Sequence, residues 1–176
     1  KQHGHIPVNQ KISDTQTGPE GITDFVVRYG EMPADTPNHH VLFEDRLVPL
    51  ASPSFADLHP SGSLQDLATM PLIHLGASDA NWTTWHTWFA QLNHSGKIST
   101  GISVNNYTIA LQAARDGLGL VLGWQNLVGP LLESGELIPF GRHALKAPGC
   151  FYIQTREAEQ LSANAQTVLN WLLHQH

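Results

Sequence analysis

The sequence predicts an α/β fold. Three observations carry that expectation. Short apolar runs bounded by turn residues alternate with helical stretches along the 176 residues. Fifteen Gly and 11 Pro supply turns between short elements, and 41% of residues are hydrophobic against 14% charged, within the globular range. A chain of this length buries a core without disulfide or metal staples.

Taken in order, Ile6 to Ile12 alternate apolar and polar as a short strand does. After the polar loop 13–21, the run from Ile22 to Gly30 predicts a strand covered on both faces. A third strand is predicted from Val41 to Ser52, broken near Glu44 and Asp45 and stopped by Pro53. Ser54 is expected to cap a helical turn through Leu58. Ser63 is expected to cap another from Leu64 to Thr69, ended by Pro71. Leu72 to Leu75 follows as a strand.

Asn81 opens the clearest helix, Trp82 to Leu92, in which Trp82, Trp85, Phe89 and Leu92 recur at three- and four-residue steps. Gly101 to Val104 is a strand, Asn105 or Asn106 a cap, and Tyr107 to Arg115 a helix that Gly117 stops. Leu118 to Trp124 is a buried strand. A short helix begins over Leu127 to Leu132, strands follow at Leu137 to Phe140 and Phe151 to Thr155, and Ser162 caps a last helix carrying Ala165, Val168, Leu169, Leu172 and Leu173.

A formal charge of −6 with nine scattered Lys and Arg argues that these residues do not themselves hold a nucleic-acid backbone. No stretch is apolar enough to span a bilayer. The single cysteine, Cys150, excludes an intramolecular disulfide framework and fits a reducing cytosol; its neighbours Gly149 and Phe151 make it a small apolar filler. Lys1 to His5 has neither an initiator Met nor a signal-peptide core, so the chain is expected to be part of something longer. His3, His5, His39 and His40 invite a zinc reading, but no carboxylate or thiolate accompanies them at ligand spacing, and no metal or cofactor is expected. The glycines of the 117–123 run precede or interrupt a strand instead of opening a helix, so they are not a dinucleotide fingerprint. P-loop, nucleophile-elbow and His-Glu-x-x-His motifs are lacking, so no enzymatic activity is expected.

Several segments occur in a recognisable order: GITDFVVRYG at 21–30, LVPLASPS at 47–54, the Trp-rich helix at 82–88, LQAARDGLGLVLGW at 111–124 and LVGPLLESGELI at 127–138. The order resembles the effector-binding domain of LysR-type transcriptional regulators. It is most similar to the branch holding glycine-cleavage activators and choline-sulfate-utilisation regulators. The resemblance implies a two-lobed type II periplasmic-binding-protein-like fold with crossover strands near residues 50 and 150. Lobe I would comprise 1–52 and 150–176, and lobe II 53–149. It further implies that the first strand and helix of lobe I are absent, the strand belonging between Ile6–Ile12 and Ile22–Tyr29. The implied function is small-molecule sensing and oligomerisation in a cytoplasmic homo-oligomer that meets DNA only through an N-terminal winged helix-turn-helix outside these residues. A solute-binding protein of a transport system is the alternative.

Candidate effector contacts follow from chemistry and resemblance together. Asn105, Asn106 and Tyr107 lie where a strand turns into a helix whose N-terminal N–H groups suit an anion, although an ordinary asparagine cap explains them as well. Arg28 and Tyr29 end an apolar strand, the edge where open α/β sheets place ligands. An ion pair of Arg28 with Asp24 is the competing reading. Ser52 and Ser54 flank Pro53 at the expected crossover, as ligand donors or as a turn. Of the tryptophans, most belong to the core, while Trp82 and Trp124 hold positions that open into a cleft.

Overall fold

A computed structural model describes residues 24–34, 36–59, 63–76, 82–157 and 161–174. The strand expected over Ile6–Ile12 and the cap expected at Asn81 lie outside the described residues. The larger sheet is built on three antiparallel strands, β1 (Phe25–Gly30), β2 (His39–Ala51) and β7 (Leu145–Thr155), in the order β1-β7-β2. β5 (Val121–Trp124) pairs with β2 antiparallel, and the short β6 (Ile138–Pro139) also pairs with β2. β7 lies between two partners, which explains why Phe151 to Thr155 are all buried, even Gln154 and Thr155.

A smaller parallel sheet joins β3 (Ile73–Leu75) to β4 (Ile102–Val104), and a parallel bridge between Leu72 and Leu120 ties β3 to the approach of β5. Gly101 enters β4 with a φ of +44° and passes so close to the Leu72 carbonyl that a Cβ has no room. The helices are α1 (Pro53–Leu58), α2 (Leu64–Thr69), α3 (Trp85–Gln91), α4 (Tyr107–Arg115), α5 (Gly129–Glu133) and α6 (Ala163–Leu173). Two clusters form the core. One gathers Phe55, Trp85, Trp88, Phe89, Trp124 and Phe151, and the other Leu50, Ile73, Ala110, Val121 and Leu137.

Several expectations need correction. The run ending at Gly30 is not covered on both faces: β1 pairs only with β7 among the described residues, and Val27 is 53% exposed. The break expected at Glu44 and Asp45 is a register shift within one continuous β2 that begins at His39, not an interruption. β5 starts at Val121, because Gly117 and Gly119, both at positive φ, keep Leu118 in the turn. β7 begins at Leu145, six residues before the predicted start.

The helix caps show where local chemistry was and was not decisive. Ser63 and Asp66 form a reciprocal capping box on α2, and Ser162 caps α6, as expected. The cap of α1 is Ser52, not Ser54, since Pro53 has the fixed φ and missing N–H that suit the first helical position. α3 starts at Trp85 under a Thr84 cap, which leaves Trp82 outside the helix. α4 keeps its expected bounds. Gly117, at φ +78°, donates to Ala114 O at 3.0 Å while Leu118 N reaches Ala113 O at 3.0 Å, closing the helix end.

Candidate functional site

The C-terminal ends of β3 and β5, whose approaches are joined by the parallel Leu72–Leu120 bridge, meet the N-terminal ends of α3 and α4. Open α/β sheets place ligands at this edge. Trp124 is the last residue of β5, Tyr107 the first of α4, and Thr84 the cap of α3. A small pocket there is lined by Ile73, Leu75, Thr83, Thr84, Tyr107 and Trp124, among others.

Next to it four rings from four segments pack together. Trp82 stacks on Tyr29 (centroids 5.7 Å apart, planes at 26°) and on Tyr107 (5.4 Å, 30°). Trp124 lies nearly perpendicular to all three, at 4.5 Å from Trp82, 5.6 Å from Tyr29 and 5.4 Å from Tyr107. Trp82 thus stacks against both tyrosines and meets Trp124 nearly at a right angle. Tyr29 reaches this row because β1 pairs it opposite Phe151 on β7, whose ring lies 4.9 Å away.

The polar atoms of these rings are unevenly served. The Tyr107 hydroxyl accepts the Trp124 backbone N–H at 3.3 Å. Burial pushes its ionisation well above the ordinary tyrosine range, and the negative charge of Asp45 adds to that. Burial likewise raises the Tyr29 phenol, with the nearby Trp124 indole and Gly149 backbone opposing part of the shift. Even so, neither the Tyr29 hydroxyl nor the Trp124 Nε1–H is in hydrogen-bond geometry with a partner, and both atoms are buried.

Of the nine residues singled out from sequence, Tyr29, Trp82, Tyr107 and Trp124 come together. Arg28 does not: strand alternation sends it to the opposite face of β1 from Tyr29, where it is exposed and its Nε donates to Gln154 Oε1 at 2.6 Å. Nor does it pair with Asp24, whose carboxylate accepts from Ser162 Oγ at 3.4 Å; the ion pairs among the described residues are Arg115–Glu136 and Lys146–Glu44. Ser52 and Ser54 lie 3.0 Å apart through their hydroxyls, with Ser52 Oγ already accepting Phe55 N. Asn105 is exposed. Asn106 Oδ1 accepts Thr108 N at 2.8 Å and Ile109 N at 3.2 Å, so the side chain itself occupies the place an anion would take.

Sequence reasoning missed Thr83 and Thr84 on the pocket rim and Ile73 and Leu75 on its wall. The Thr pair just before a Trp-rich helix is a cap signal that would have moved the helix start and exposed this rim. Among the described residues no group of three His, Cys, Asp or Glu is placed to hold a metal, and no helix is long and apolar enough to cross a membrane.

A sheet built on two long antiparallel strands, with a pocket at the ends of a parallel set, defines a ligand-binding domain of the periplasmic-binding-protein type. The profile of the LysR substrate binding domain matches residues 3–176, and the chain belongs to that family. It is 27% identical over 157 residues to the HTH-type transcriptional regulator DsdC of Escherichia coli K12, covering 86% of this chain and 50% of DsdC. It is 33% identical over 121 residues to the uncharacterised HTH-type regulator y4mQ of Sinorhizobium fredii, covering 68% of this chain and 39% of y4mQ. The chain therefore spans half or less of the length of these relatives. In fold it is similar to the AmpR effector binding domain of Citrobacter freundii (TM-score 0.67, 18% identity, 85% of this chain and 72% of that one). It is also similar to full-length AphB of Vibrio cholerae (TM-score 0.59, 15% identity, 85% and 51%). DsdC and y4mQ are both named as transcriptional regulators, which favours an effector-sensing domain over a transport protein.

Proposed function

We propose that the chain senses a small molecule for a bacterial LysR-type transcriptional regulator, with the effector held at the aromatic row and the adjoining pocket. The observation that carries this reading is the convergence of Tyr29, Trp82, Tyr107 and Trp124, rings drawn from four segments, beside the pocket at the strand ends. The division into lobe I (1–52 and 150–176) and lobe II (53–149) is part of the same proposal. So is a cytoplasmic, homo-oligomeric, non-enzymatic parent that holds DNA through a separate winged helix-turn-helix.

The effector class proposed is a small zwitterion or quaternary-ammonium anion such as betaine or choline sulfate. Its permanently charged head has no hydrogen-bond capacity, so aromatic faces are its natural partners. Asn106 is committed to its own helix, so the anionic end is assigned to Trp124 Nε1 and Tyr29 Oη in place of Ser54 and Asn106. Similarity to the glycine-cleavage-activator and choline-sulfate-regulator branch rests on Leu122-Gly123-Trp124 followed by the 127–132 segment.

Calorimetric titration of the full-length protein with betaine and choline sulfate, beside Trp124→Ala and Tyr107→Ala variants, tests the assignment. Each lost ring is expected to weaken binding by roughly twofold to thirtyfold, from about 0.5–2 kcal/mol per cation–π contact. Absence of binding, or binding that both substitutions leave unchanged, removes the aromatic row as the effector site.

A further inference from the structure

Trp82 is the ring that the fold holds least. It precedes the Thr84 cap of α3, so no helical hydrogen bond fixes it, and it is only half-buried while Trp124 is 1% exposed. Its partners are fixed far better: Tyr29 by pairing along β1, Tyr107 by α4 and its bond from Trp124 N, and Trp124 by β5. Removing the Trp82 indole leaves a space beside the Tyr29 and Tyr107 rings, with the Trp124 indole nearly perpendicular to each of them. The centroids of Tyr29 and Tyr107 lie 5.7 Å and 5.4 Å from the vacated centre. That is the distance range at which a ring face attracts a cation.

Resting on the effector site proposed above, we propose that Trp82 competes with the effector: its indole fills the slot beside Tyr29 and Tyr107, and a compact organic cation binds by displacing it. A ring that must leave before the ligand enters lowers apparent affinity by the fraction of time the slot is free. Trp82 is on this account a specificity-determining residue that selects ligands able to out-compete an indole. It is not a wall of the site.

The test uses tetramethylammonium as probe on the full-length protein, comparing wild type with Trp82→Ala, Trp82→Phe and Tyr107→Ala. Competition predicts that Trp82→Ala tightens binding by about tenfold, that Trp82→Phe falls between, and that Tyr107→Ala weakens it. In the wild type, saturating tetramethylammonium should raise acrylamide quenching of tryptophan emission, and that increment should vanish in Trp82→Phe. If Trp82→Ala binds as the wild type does or more weakly while Tyr107→Ala still weakens binding, Trp82 is a wall or a bystander and competition is overturned with the site intact. Lack of binding to the wild type and all three variants overturns the proposed effector class and competition together. Should Trp82→Ala fail to fold, Trp82→Phe and the quenching increment decide the matter.

Discussion

Asp45 lies on β2 with 2% of its surface exposed, and its carboxylate accepts three backbone N–H groups: Arg46 at 2.7 Å, Asn126 at 2.9 Å and Leu127 at 3.1 Å. Asn126 returns a bond from Nδ2 to Glu44 O at 3.1 Å, and Gln125 N reaches Arg46 O at 2.9 Å. The register shift in β2 is thus clasped to the turn that follows Trp124, so the residue that fixes Trp124 from below is charged and buried. Asp45→Ala strands amides with no solvent to replace the carboxylate. The expected loss is about 2–4 kcal/mol, read as a thermal midpoint lower by roughly 4–16 °C for a domain of this size. A shift under about 2 °C would show that water serves those amides equally well. Sequence alone marked Glu44 and Asp45 as a break, but its cause, a carboxylate meeting a turn some eighty residues later, depends on tertiary proximity that no local pattern encodes.

Helix ends were the most legible elements wherever cap and helix are neighbours in sequence. Ser63, Asn106 and Ser162 all cap where their side chains allow, and α4 keeps both expected bounds because Asn106 and Gly117 mark its ends. α3 was misplaced because Trp82 continues the apolar spacing of Trp85 and Phe89, and periodicity cannot distinguish a ring on a helix from one just before it. Trp82 was nonetheless singled out with Trp124 as a ring that opens into a cleft, and Tyr107 with Asn106 at the start of α4. At α1 the two serines around Pro53 separate cleanly. Ser52→Ala removes the acceptor for Phe55 N and should cost about 1 kcal/mol, whereas Ser54→Ala, exposed and inside the helix, should change chemical-denaturation stability by less than about 0.5 kcal/mol. Equal effects from the two would move the cap to Ser54.

Across the whole molecule, β2 and β7 run the length of the larger sheet and carry Tyr29 through β1 to the same place that β5 and α4 carry Trp124 and Tyr107. The α/β alternation made the fold class legible, but not that convergence, since Tyr29 and Trp124 are 95 residues apart. Those rings belong to different runs of chain, so on the function proposed above a ligand among them would act on the relative placement of those runs. The most direct test is a footprint of the full-length protein on its own promoter with and without betaine or choline sulfate, for wild type and Tyr107→Ala. The account predicts that effector alters wild-type protection, while Tyr107→Ala binds the promoter equally well without effector and does not respond to it. An effector response undiminished in Tyr107→Ala would contradict the claim that these rings read the ligand.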